Sequence, residues 1–258
     1  MENIIIGFAT PFIGTTLGAA TVFLLRDKIS NRVQKMMLGF ASGVMTAACF
    51  WSLLQPALEQ SNEGTFASII PVLLGFFLGM GFIFLLDTFI PHQHIDKNTP
   101  EGIRSSLPRS TKMILAVALH NIPEGMAVGV VFAGMYNGSS TLTLAGAFAL
   151  SLGMAIQNIP EGAIISMPLR SEGKSRFSAF GMGMLSGLVE PIAATCTLLF
   201  LENTESAMPL LLSFAAGAML YVIVEELIPA SQAGEHSNIG TIGFAIGFAA
   251  MMILDSVL

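Results

Sequence analysis

Eight long apolar stretches dominate this sequence, and their length decides what the chain can fold into. About 20 apolar residues in a helix cross the roughly 30 Å hydrocarbon core of a bilayer. Charged residues make up only 11% of the chain, against about 25% in soluble domains. The sequence therefore predicts an all-α integral membrane protein, a single polytopic domain over residues 1–258. Its eight transmembrane helices are expected at about 4–25, 36–58, 66–90, 112–135, 141–168, 178–200, 208–230 and 239–257.

All eleven lysine and arginine residues fall in the three loops after the first, third and fifth stretches. Basic loops stay on the cytoplasmic side during insertion, so both termini are expected to face outward from the cell inner membrane. The opposite connections carry acids instead, at Glu59, Glu63, Glu202 and Glu205. No basic residue lies well inside a predicted span, which leaves intramembrane acids without a cationic side chain.

Parts of the sequence recur in spans that run in opposite directions. The third span ends in "GFFLGMGFIFLLD", and "GFAIGFAAMMILD" follows 168 positions later in the eighth; "LGFASGVM" in the second is echoed 174 positions later by "LSFAAGAM" in the seventh. "HNIPEG" at 120–125 in the fourth span matches "QNIPEG" at 157–162 in the fifth. Inverted-topology repeats are typical of secondary transporters. The pattern predicts a 3+2+3 bundle with the fourth and fifth spans at its centre.

Each copy of the duplicated motif places polar side chains on one helix face. Residues three and four apart share a face, so His120, Asn121 and Glu124 project together from the fourth span. The matching set in the fifth span is Gln157, Asn158 and Glu161. A proline inside a helix also frees the carbonyl four residues earlier. The two motifs therefore predict one polar site shared by two central helices.

Further acids lie inside the predicted spans, namely Glu190 in the sixth, Glu226 in the seventh and Asp87 near the inner end of the third. Each ionised carboxylate at the bilayer centre costs about 2.5–3.5 kcal/mol, so several together need protons or a bound cation. An imidazole with several oxygens suits Zn²⁺, Fe²⁺, Mn²⁺ or Cd²⁺ better than Na⁺ or K⁺. The sequence thus predicts a divalent metal site, with the ion as substrate.

Two other classes of protein could use the same residues. An intramembrane hydrolase would use bound metal to activate water, but no span carries H-E-x-x-H, and hydrolysis gives no reason for inverted repeats. A proton-coupled carrier of an organic solute would use the acids as a proton relay. We expect a transporter rather than an enzyme, and no nucleic acid partner. Taken alone, the loop pair His92 and His94 in "PHQH" is either solvated or a metal contact, and Tyr221 reads as an ordinary interfacial residue.

The eight spans and the paired "HNIPEG" and "QNIPEG" motifs resemble the ZIP metal transporters, especially their bacterial zinc-uptake branch. The resemblance implies a homodimer in the lipid bilayer that moves divalent metal, zinc first, into the cytoplasm by an elevator-like alternating access. It also implies a binuclear centre midway across the membrane. One ion would bind His120, Glu124, Gln157 and Glu161. The second would bind Asn121, Glu124, Asn158, Glu161 and Glu190, with the two glutamates bridging.

This chain departs from that pattern in two places. Some relatives have an aspartate at the position of Asn158, so the second site here has one negative charge fewer and is expected either to be weaker or to serve mainly to tune transport. Many relatives also have a longer, histidine-rich loop between the third and fourth spans, whereas this loop contains only His92 and His94. By the same resemblance, the inward release path is expected to be lined by Asp87, His92, His94 and Glu226.

Overall fold

Eight helical segments, each long and apolar enough to cross a membrane, make up this computed structural model. It describes residues 1–24, 29–61, 66–93, 100–201 and 207–258, so His94 and the loop charges Arg26, Lys28, Glu63, Lys97, Glu202 and Glu205 lie outside the described residues. The described part contains no β-strand beyond an isolated bridge, which confirms the predicted all-α membrane fold. The segments are α1 (Glu2–Leu24), α2 (Asn31–Gln60), α3 (Phe66–Phe89), α4 (Arg109–Tyr136), α5 (Leu144–Ser171), α6 (Arg176–Phe200), α7 (Met208–Gln232) and α8 (Ile239–Val257).

Three of the helices begin at a hydroxyl side chain that accepts a hydrogen bond from a backbone N–H of the first turn. Ser30 precedes α2, Thr143 precedes α5 and Ser175 precedes α6. Such caps satisfy amide groups that have no partner inside the helix. They place these three helix starts at the water-facing ends, where the apolar stretches stop.

Two helices contain a π-helical turn, in which the backbone widens to accommodate an extra residue. The turn in α2 covers Cys49–Leu54, and the turn in α7 covers Ile223–Leu227. Their first residues are 174 positions apart, the same offset that relates "LGFASGVM" to "LSFAAGAM". The repeat is therefore present in the backbone as well as in the sequence.

Helix pairing follows the same inverted relation. The most extensive contacts join α1 to α5 and α4 to α6, and α2 to α8 and α3 to α7. If α1 is exchanged with α6, α2 with α7, α3 with α8 and α4 with α5, the pair α1–α5 becomes the pair α6–α4. The pair α2–α8 likewise becomes the pair α7–α3. Two groups of helices result, one of α1, α4, α5 and α6 and one of α2, α3, α7 and α8. They meet where α4 contacts α7 and where α5 contacts α2.

Glycines bring the backbones together in the second group. A Cβ at Gly43 in α2 would overlap the carbonyl oxygen of Phe244 in α8, and a Cβ at Gly217 in α7 would overlap that of Phe76 in α3. These four residues are related by the same offsets of 174 and 168 positions. Small residues that let helix backbones approach closely are typical of membrane interfaces, and here the two interfaces are equivalent.

The centre of the bundle is formed by α4 and α5. In their most apolar stretches 72% and 78% of the residues are buried, against 22% in both α3 and α8. This fits the 3+2+3 arrangement expected from the sequence. It also places the duplicated motif where lipid does not reach it.

Candidate metal centre

The structure brings together the polar side chains of the duplicated motif between α4 and α5. Gln157 Nε2 on α5 donates to Glu124 Oε2 on α4 at 2.6 Å. All seven predicted ligands have at most 7% of their surface exposed, and these are His120, Asn121, Glu124, Gln157, Asn158, Glu161 and Glu190. No lysine or arginine in the described residues pairs with Glu124, Glu161 or Glu190. The acids are therefore buried without a cationic side chain, as the sequence predicts.

Five buried oxygens of this centre have no hydrogen-bond donor among the described residues. They are Asn121 Oδ1, Glu124 Oε1, Gln157 Oε1 and both carboxylate oxygens of Glu161. Leaving a buried polar group unsatisfied costs about 1–3 kcal/mol, and more for a charged group. All five are acceptors, and they are buried on the two central helices, so a cation is the kind of ligand that would give them a partner.

Glu190 is placed differently from the other two acids, because donors cover both of its oxygens. Oε1 accepts from Asn121 Nδ2 at 2.9 Å and from Thr15 Oγ1 at 3.1 Å. Oε2 accepts from Asn158 Nδ2 at 2.7 Å. Three of the five residues predicted for the second ion, Asn121, Asn158 and Glu190, are thus brought together, and they hydrogen-bond to one another.

His120 makes a contact between the two groups of helices. Its Nε2 lies against a carboxylate oxygen of Glu226, which is in the π-helical turn of α7. Sequence reasoning assigned both residues to metal transport but did not pair them. The contact joins the predicted binding site directly to the predicted release path.

A cavity of about 80 Å³ leads from this site to one side of the protein. Its lining begins at His120 and Glu161 and reaches Gln34 in the first turn of α2 and Gln93 after α3. Both glutamines are close in sequence to the basic loops, so this is the side predicted to be cytoplasmic. A separate cavity at the other end, bounded by Ser52 and Asp255, shares no lining residue with it.

A second cluster lies at the inner end of α3. Ligand atoms of Asp87, His92 and Glu101 all lie within 4.8 Å of one another, and His92 Nε2 is 3.0 Å from Asp87 Oδ1. His92 is fully buried, so the solvated reading of its loop position is wrong. Burial by itself lowers the pKa of His92, but its hydrogen bonds to Asp87 and to the Ile90 carbonyl and the nearby negative charges raise that pKa above its ordinary value.

Sequence reasoning missed three residues that contact these sites. Glu101 reaches His92 through a β-bridge, Thr15 of α1 donates to Glu190, and the Tyr221 hydroxyl donates to Asp87 at 3.3 Å. The sequence reading of Tyr221 as an ordinary apolar or interfacial residue did not include this contact with Asp87. The position of Tyr221, one helical turn before Glu225 and Glu226, was the available signal. Glu101 and Thr15 carry no comparable pattern.

Comparison with known proteins gives matches over nearly the whole chain. The family model described as ZIP Zinc transporter matches residues 92–255. Zinc transporter ZIPB of Bordetella bronchiseptica is 38% identical over 98% of this chain and 81% of its own length. Zinc transporter GufA of Myxococcus xanthus is 35% identical and zinc transporter ZIP11 of Homo sapiens 33% identical, each with 93% of both chains covered. The matched region includes the duplicated motif.

Proposed function

The chain belongs to the ZIP zinc transporter family, and we propose that it imports divalent transition metal ions into the cytoplasm, with zinc as the first substrate and iron, manganese and cadmium as further candidates. It is a multi-pass membrane protein and a transporter rather than an enzyme, as its named relatives are. Nothing among the relatives favours the hydrolase alternative.

The observation that carries this proposal is the set of five buried acceptor oxygens without donors. Glu124 and Glu161 contribute two negative charges in a region of low dielectric constant, where unpaired charge is costly. One divalent cation balances those two charges and gives the oxygens a partner. Imidazole from His120 adds a nitrogen ligand, a combination that suits Zn²⁺.

Release toward the cytoplasm is supported by the position of the cavity. It connects His120 and Glu161 to Gln34 and Gln93 on the side of the basic loops. An ion leaving His120 would next meet Glu226 and then the cluster of Asp87 and His92. With the cavity open on the side of the basic loops, this arrangement corresponds to an inward-facing state of the transporter.

The two groups of helices supply the parts that alternating access needs. We propose that α1, α4, α5 and α6 move together and carry the ion past α2, α3, α7 and α8. The internal pairing of each group and the glycine-mediated contacts in the second group support this division. In the inverted arrangement, outward access would use the equivalent interface of α5 with α2.

The family resemblance and the distribution of basic residues support the remaining assignments. We propose that the protein is a homodimer in the cell inner membrane and that both termini face outward. The broad lipid-facing surfaces of α3 and α8 leave room for a second copy and for lipid. Lipid contact and dimer contact would compete for the same apolar side chains.

Zinc uptake into proteoliposomes tests the proposal. Wild type should show saturable uptake, and the variant Glu124→Gln/Glu161→Gln should show none, because the amides cannot neutralise a dication. A matched control, Glu2→Gln/Glu172→Gln, changes two exposed acids and should transport normally. Negligible uptake by folded wild type and variant alike would contradict the proposal and favour an organic solute carrier. Repeating the assay with manganese, iron and cadmium ranks the substrates.

A further inference from the structure

Glu190 receives one hydrogen bond from each of three other helices. Its donors are Thr15 on α1, Asn121 on α4 and Asn158 on α5, and Glu190 itself is on α6. These are the four helices of the group that includes the duplicated motif. Hydrogen bonds to a buried carboxylate are among the stronger ones in proteins. Glu190 therefore ties this group together at the level of the metal site.

The amide of Asn158 is oriented by two acceptors. Its Nδ2 donates to Glu190 Oε2 at 2.7 Å and also lies 3.3 Å from the carbonyl oxygen of Pro11 on α1. The Asn158 oxygen in turn accepts from Gln157 Nε2. Turning the amide over would bring its oxygen against two other oxygens. Asn158 thus presents donors, not a ligand oxygen, toward Glu190.

Charge balance separates this centre from one that holds two ions. Two divalent ions would bring four positive charges to a helix group that supplies only three carboxylates at this level, Glu124, Glu161 and Glu190. The further buried carboxylate near the site, Glu226, belongs to the other group and contacts His120. One ion is balanced by Glu124 and Glu161, whose unpaired oxygens are available. The negative charge of Glu190 is instead distributed over three donors. An aspartate at position 158 would supply the missing fourth charge and remove the donor.

We propose that the site holds a single divalent ion and that Asn158 sets this number by drawing Glu190 into hydrogen bonds, which makes Glu190 a positioning residue rather than a ligand. The inference rests on the proposed function, since it concerns the ion bound by His120, Glu124, Gln157 and Glu161. It departs from the binuclear centre that the family resemblance implies.

Metal stoichiometry after equilibrium dialysis against Zn²⁺, measured by mass spectrometry on purified protein, tests the proposal. The number of ions at this centre is the number bound by a protein minus the number bound after Glu124→Gln/Glu161→Gln is added to that same protein. Wild type should bind one ion at the centre, and Asn158→Asp should bind two. That subtraction removes ions held elsewhere, such as at the cluster of Asp87, His92 and Glu101. Two ions in wild type, or one in folded Asn158→Asp, would overturn it.

A second variant covers the case in which Asn158→Asp folds poorly because its aspartate faces Glu190. The double variant Asn158→Asp/Glu190→Gln restores the wild-type charge and a donor–acceptor pair, and it should bind one ion. Two ions in this variant would show that charge does not set the number and would overturn the proposal. If the proposed function fails, the result is different: wild type and the Glu124→Gln/Glu161→Gln variant would bind the same number of ions.

Discussion

The Nε2 atom of His120 lies against the carboxylate of Glu226, and this contact joins α4 to α7 across the boundary between the two groups of helices. A metal ion that binds His120 through this nitrogen has to replace Glu226. Movement of one helix group past the other also has to break the contact. The proposed helix movement and the exchange of ligands at His120 would therefore be coupled at a single imidazole.

Replacing Glu226 by Gln should slow zinc uptake while the number of ions bound at the centre stays the same. The ion leaving His120 would lose the next carboxylate on its path, but Glu124 and Glu161 would still hold it. Parallel measurements of uptake in proteoliposomes and of equilibrium binding separate the two effects. Loss of binding in this variant would place Glu226 among the ligands of the bound state.

Replacing Thr15 by Val should lower the thermal unfolding midpoint, because Glu190 loses a buried hydrogen bond worth about 1.5–3 kcal/mol. Val keeps the shape of Thr, so packing against Gly187 is preserved. Thr15→Ser keeps the hydroxyl and is the matched control. Equal midpoints for Thr15→Val and wild type would show that this bond adds nothing to stability.

Replacing Gly43 by Ala should destabilise the protein by about 1–3 kcal/mol, since overpacking costs about that much. The added methyl group would overlap the Phe244 carbonyl. Gly217→Ala should behave alike at the equivalent contact with Phe76. Gly81 in α3 has open space around its Cβ position, so Gly81→Ala is the control. Unfolding midpoints in detergent that agree for all three variants would contradict the close helix contact.

Replacing Asp87 by Asn should lower the pKa of His92, because the hydrogen bond to Asp87 is the leading cause that raises it against burial. A histidine whose pKa is raised on folding stabilises the fold most below its unfolded pKa of about 6.5. That contribution is lost as the pH rises through the folded pKa. Carbon-13 NMR of labelled imidazoles, assigned with His92→Gln, measures the shift. An unchanged His92 titration in Asp87→Asn would show that the bond is not formed in solution.

A single cysteine at Ser106 should react with membrane-impermeant reagents only from the cytoplasmic side. Ser106 is exposed in the loop before α4, and the basic residues of that loop favour the proposed cytoplasmic placement. The experiment needs the exposed Cys196 replaced by Ser, whereas Cys49 is buried. Labelling of Ser106→Cys in intact cells would reverse the proposed orientation of every helix.

The fold could be predicted from the sequence because its main determinants are local and repetitive. Eight apolar stretches of spanning length leave few alternative folds. Gly43 and Gly217 already occupy equivalent positions in the repeated segments "LGFASGVM" and "LSFAAGAM". Glu124 and Glu161 could be expected on the two central helices because each belongs to one copy of the duplicated motif. These inferences need only helix periodicity and a count of charges.

Side-chain partners between distant segments could not be predicted in this way. Glu101 reaches His92 through backbone pairing in a loop, and nothing in its sequence neighbourhood indicates that pairing. Thr15 is one of several hydroxyl residues in α1, and only the packing of α1 against α5 and α6 aims it at Glu190. The direction of the Asn158 amide depends on the Pro11 carbonyl, 147 positions away.

The π-helical turns at Cys49–Leu54 and Ile223–Leu227 also bear on the ancestry of the chain. A π-helical turn is rare and locally unfavourable, so its occurrence at equivalent positions points to one insertion that was inherited twice. The insertion would then predate the gene duplication. The repeated unit is three helices, since α1 to α3 correspond to α6 to α8, and the five spans that precede α6 place the second copy in the opposite orientation across the membrane. The two equivalent turns now differ in their side chains, because Ser52 in the first turn occupies the position that Glu226 occupies in the second.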